Sequence, residues 1–135
     1  VCSLLTREIR SAGCDPAESG VDRFPLADGD ALRCCMDLDG DGNTADVSPD
    51  EDITYRFDAG DGELRRTTLS GDQTILRGVQ AVTFSYFDGD GNVLAALPLS
   101  TADRREVRFV GITIAGETPQ GEPVTYSTRV LVRNG

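Results

Sequence analysis

The chain has 135 residues, with 23 acidic side chains against 13 basic ones, all Arg, and a net charge of −10 without any His or Trp. So acidic a surface repels phosphate backbones and anionic lipid, which excludes nucleic acid as a partner and favours divalent cations. Lack of His removes the usual general base, the Ser-His-Asp triad and the commonest zinc ligand. Paired carboxylates are the remaining catalytic route, and no motif marks such a pair, so the chain reads as a non-enzyme. The length is that of one domain, 1–135.

Along Val1–Ala12, apolar residues at Val1, Leu5, Ile9 and Ala12 face away from Ser3, Thr6, Arg7 and Arg10, the spacing of an amphipathic helix. Gly13 stands where a left-handed cap is needed, and Pro16 prevents continuation. No capping residue precedes Val1, so residues 1–13 are expected to be the C-terminal part of a longer helix. Its apolar face is expected to pack onto a sheet.

Asp15–Asp30 is polar, with Gly and Pro, and reads as a surface loop. Beyond it, residues 31–135 switch to a period of two. Leu32, Cys34, Met36 and Leu38 alternate with polar or small positions, and so do Ile53, Tyr55 and Phe57. Glu63–Leu69, Val79–Phe87, Glu106–Ala115 and Val124–Val132 continue the pattern, separated by turn signals such as Asp88-Gly89-Asp90-Gly91-Asn92. In Glu106–Ala115 the apolar phase slips, from Val107 and Phe109 to Val110 and Ile112, which implies a bulge near Gly111 or burial on both faces. The expected fold is α+β: an N-terminal helix packed on an antiparallel sheet of about six strands.

Cys2, Cys14, Cys34 and Cys35 lack the spacing of a zinc or redox site. Cys2 and Cys14 lie about 18 Å apart along a helix, so they cannot bond. An even number of cysteines outside a metal pattern favours an oxidising compartment. Cys34 shares a strand face with Leu32 and Met36, the face expected to meet the helix, so a Cys14–Cys34 disulfide is expected. Cys2 and Cys35 are left over.

Asp37–Asp52 reads DLDGDGNTADVSPDED. The D-x-D-x-D-G run resembles the start of an EF-hand loop, whose alternate oxygen ligands converge on Ca²⁺. Counting from Asp37 puts Ser48 at position twelve; counting from Asp39 puts Asp50 there but replaces the required Gly with Thr44. A non-standard Ca²⁺ loop between strands is therefore expected, with Asp37, Asp39, Asp41, Asn43 and Asp50 as ligands. Glu51 and Asp52 are substitutes for the last, and a solvated acidic loop is the alternative. Asp88–Asn92 has no closing acid and reads as a tight turn.

The order of local motifs resembles the type IV pilin superfamily, in particular minor pilins and pseudopilins of the PilW-like and GspJ-like kind. Leu5–Pro16 (LTREIRSAGCDP) is similar to the end of the pilin helix. Glu51–Tyr55, Leu64–Arg66 and Val82–Tyr86 with Asp88 and Gly89 resemble successive strand motifs of the family. Arg108–Ile112 and Thr128–Asn134 resemble its last two strands. The resemblance implies a structural subunit of a type IV pilus or a type II secretion pseudopilus, acting through contacts with other pilin or pseudopilin subunits. It also implies a periplasmic or extracellular head, held in the inner membrane before assembly by an apolar helix upstream of Val1. The competing reading is a secreted Ca²⁺-binding β-module that recognises a ligand or surface.

Overall fold

The computed structural model describes residues 2–13, 23–37 and 51–132. Helix α1 spans Cys2–Ser11. Gly13 follows at φ 82° and donates its amide to the Cys35 carbonyl at 2.9 Å, tying the helix end to a strand. Strands β1 (Leu26–Ala27), β2 (Ala31–Cys35), β3 (Asp52–Asp58), β4 (Glu63–Thr68) and β5 (Gly71–Leu76) form one antiparallel sheet in sequence order. Strands β6 (Val79–Phe87), β7 (Phe109–Glu117) and β8 (Pro123–Leu131) form a second, and helix α2 (Thr101–Glu106) lies between β6 and β7 in the chain.

The expected α+β arrangement, one long helix laid on a single sheet of about six strands, is overturned. The described fold is mostly β, with eight strands in two antiparallel sheets and two short helices. The division falls at Arg77-Gly78, where Gly78 takes φ 68° and turns the chain out of the first sheet. Burying both inner faces then requires the two sheets to share a core, since one open sheet would leave a face wet.

That shared core follows the period-two pattern. Ile53 and Tyr55 of β3, Leu64 of β4, Val82, Phe84 and Tyr86 of β6, and Val110 and Ile112 of β7 are all buried in one cluster. Leu5, Ile9 and Ala12 of α1 enter the same cluster and are fully buried. The loop at residues 28–30 joins the sheets. The Phe84 amide donates to the Gly29 carbonyl at 2.8 Å, and the Tyr86 hydroxyl donates to the Asp28 carbonyl at 2.7 Å. Burial is the main force that pushes the Tyr86 hydroxyl above its ordinary pKa.

Three elements differ from the reading of the sequence. Strand β1 lies inside the expected loop, and β5 falls between the expected strands Glu63–Leu69 and Val79–Phe87, where none was expected. Residues 101–106 form α2, and the strand expected from Glu106 starts at Phe109. The phase slip in that segment is an element boundary: Val107 ends α2, and β7 pairs in unbroken register from Phe109 to Ala115. The bulge expected near Gly111 sits instead at the far end of the pairing, between Val79 and Ala81.

Candidate functional site

The acidic loop leaves the first sheet between β2 and β3, and its two ends are described. The Met36 amide donates to the Glu51 carbonyl at 2.9 Å, closing the neck just beyond the Cys35–Asp52 pair. Asp37 and Glu51, one on each side of this neck, are both fully buried. Carboxylates are seldom fully buried unless partnered, and both of these interact with other groups of the chain. Of the expected Ca²⁺ ligands, Asp37 is at the neck, while Asp39, Asp41, Asn43 and Asp50 lie outside the described residues. Among the described residues no three acidic or Cys side chains gather as a metal site.

Asp52 is committed elsewhere. Arg33 on β2 grips it with two hydrogen bonds, Nε to Oδ1 at 2.9 Å and Nη2 to Oδ2 at 2.7 Å. This fork geometry is the strong form of an Arg–carboxylate pair. The hydrogen bond from Arg33 is the main force holding the Asp52 carboxyl below its ordinary range, and it raises Arg33 in turn. The Cys35 thiol also donates to Asp52 Oδ1, at 3.6 Å. Asp52 would have to give up Arg33 to bind a cation, so it is a poor substitute ligand.

Cys34 and Cys35 point to opposite faces of β2, as successive strand residues must. Cys34 stands as a fully buried thiol, and burial drives its pKa well up, which makes it unreactive. Cys14, its expected disulfide partner, lies outside the described residues.

The other acidic runs are turns. Asp88 accepts hydrogen bonds from the Asp90 and Asn92 amides, both at 2.9 Å, and Gly91 takes φ 84°. Those bonds, led by that of Asn92, lower the Asp88 pKa. Asp58 does the same for Gly60 and Asp61, at 3.0 and 3.3 Å. The carboxylate acts here as a backbone acceptor, as turn chemistry demands.

Two features escaped the sequence reading. Glu8 lies at the i+3 position from Leu5, inside the apolar stripe of α1, and is 8% exposed. Arg66 of β4 meets it with two bonds, 2.9 and 2.5 Å, and so ties the helix to the first sheet. On the outer face of the second sheet, the Phe87 ring lies over Gly111, and the Arg129 guanidinium stacks 3.9 Å from the ring centre.

Six large apolar side chains are exposed among the described residues, and Val124, Tyr126 and Leu131 of β8 are three of them. Strand β8 is also the edge of its sheet, and among the described residues no strand pairs with its outer side. No helix among the described residues is long and apolar enough to cross a membrane. In comparisons with known proteins, no family profile matches the chain and no curated protein matches it closely.

Proposed function

We propose that this domain is a structural subunit, a minor pilin or pseudopilin of a type IV pilus or a type II secretion pseudopilus. It works through contacts with other subunits of the same class. The observation that supports this reading is strand β8, an edge strand among the described residues, with Val124 and Tyr126 exposed on one face. Such an edge offers both backbone hydrogen bonds and apolar area to a neighbouring chain. The motif order from Leu5–Pro16 to Thr128–Asn134 supports the family reading, and no His or Cys-based catalytic set competes with it. In this reading the domain is periplasmic or extracellular, and an apolar helix upstream of Val1 holds it in the inner membrane before assembly.

The coding sequence upstream of Val1 tests this directly. A short leader followed by about 20 apolar residues running into Val1 supports the subunit reading. A cleavable secretory signal alone overturns it. A second test substitutes Lys for Val124 and Tyr126: incorporation into filaments should fall while the melting temperature holds.

A second reading is a secreted Ca²⁺-binding β-module. What favours it is the acidic run itself, oxygen side chains at alternate positions from Asp37 to Asn43 with Asp50 beyond, a set that suits a hard cation. Asp37, Asp39, Asp41, Asn43 and Asp50 would hold the ion, with a structural role. Melts in Ca²⁺ and in chelator decide whether the loop binds it.

A further inference from the structure

The outer face of the second sheet carries a trough that neither reading uses. Cross-strand register places Ser85, Gly111 and Arg129 in one row, with Thr113 and Ser127 in the next. Gly111 lets the Phe87 ring lie down on the sheet: a Cβ there would come within 3.2 Å of the ring and 3.5 Å of Ser85. Beside that ring lies an open trough of about 320 Å³ lined by Ser85, Phe87, Thr113, Ser127 and Arg129. This lies at the lower end of the range for small-molecule pockets, room for one small molecule.

Three of these walls are hydroxyls, and the Thr113 and Ser127 hydroxyls lie 3.2 Å apart, forming a ready donor–acceptor pair. The fourth is a guanidinium whose central carbon sits 3.9 Å from the centre of the Phe87 ring. Contact with an aromatic face restrains an arginine without using its N–H donors. Among the described residues Arg129 forms no ion pair, although the chain has an excess of ten acidic groups. No carboxylate lies among the residues that line the trough. A held, unspent fork is complementary to a planar carboxylate, and clustered hydroxyls are complementary to other hydroxyls.

We propose that this trough binds a small hydroxylated carboxylate of the sugar-acid class. The carboxylate takes the Arg129 fork, and the ring hydroxyls exchange hydrogen bonds with Ser85, Thr113 and Ser127. The Phe87 ring holds the arginine and is already covered by it, so it does not stack on the sugar. The proposal stands apart from the subunit reading and from the acidic loop.

The test is a titration of the ¹⁵N-labelled chain with glucuronate, with methyl glucoside and with acetate, read from the Gly111 and Thr113 amides and the Arg129 Nε–H. Glucuronate should give saturable shifts at all three. Methyl glucoside should bind about tenfold more weakly or worse, since it lacks the charged partner of Arg129. Acetate should reach Arg129 but bind more weakly than glucuronate. Arg129→Gln should weaken glucuronate about tenfold or more, with the remaining amide spectrum unchanged as proof of folding. Thr113→Ala with Ser127→Ala should weaken glucuronate and leave acetate as it was. Absence of saturable shifts, retention of binding in Arg129→Gln, or equal binding of acetate and glucuronate would each overturn the assignment.

Discussion

Removing one member of the Glu8–Arg66 pair should destabilise the domain far more than removing both. The pair joins α1 to β4 through two hydrogen bonds, and its side chains are only 10% and 12% exposed. Glu8→Leu leaves the Arg66 charge in place without that partner, and Arg66→Met strands the Glu8 carboxylate. Breaking a buried pair this way costs about 3–5 kcal/mol. Total stability for a domain is about 5–15 kcal/mol, so either change removes a large share. The double variant Glu8→Leu, Arg66→Met replaces the pair by apolar groups of similar reach, and should return to within about 1 kcal/mol of the parent. Arg66 makes further contacts, so the Glu8→Leu arm gives the cleaner figure. Urea and thermal melts followed by circular dichroism measure all four corners of the cycle. If each single variant loses less than about 1 kcal/mol, the pair behaves as an exposed one and the account of α1 docking is wrong.

Tyr55 is fully buried and its hydroxyl has no hydrogen-bond partner among the described residues, whereas the Tyr86 hydroxyl has the Asp28 carbonyl. Tyr55→Phe should be neutral or stabilising by up to about 1 kcal/mol, and Tyr86→Phe should cost about 0.5–1.5 kcal/mol, both read from urea melts. Asp52 has a lowered pKa in the folded chain. Its contribution is therefore complete above the ordinary aspartate range near about 4, and fades as pH falls through the folded value. Asp52→Asn should flatten the acid limb of a stability–pH curve measured from pH 2 to 6. Calcium at about 100 times its dissociation constant should add roughly 2.7 kcal/mol in a thermal melt; coincident melts with Ca²⁺ and chelator would remove the acidic loop as a site.

The alternation of apolar residues marked the strands that feed the core, because Ile53, Tyr55, Val82, Phe84 and Tyr86 must all point one way. It could not show how many sheets they form. That choice rests on Gly78, one positive-φ residue in a segment where no turn pair announces itself. Strand β5 was hidden because its residues are exposed or half-buried and carry little apolar signal. Helix α2 did announce itself. Ser100 caps it by accepting from the Asp103 amide at 3.2 Å, and Ser-x-x-Asp is a capping signature. With no buried residue, α2 lacks the apolar stripe that would have confirmed it.

The candidate sites differ in legibility for a physical reason. A loop that binds a hard cation is written in consecutive residues, because its ligands converge from one short segment. The acidic run was therefore visible at once, even though only its neck is described. A site on a sheet face is written across strands, where the neighbours of Gly111 are set by pairing with Ser85 and Arg129. No local spacing links those three residues, so only register brings them together. The same holds for Glu8 and Arg66. A charged residue at an i+3 position in an apolar stripe signals that a partner of opposite sign must exist. Which arginine answers it depends on how β4 crosses the helix. Charge in this chain is thus informative in two ways: runs of it mark loops and turns, and single buried charges mark where separate elements are fastened.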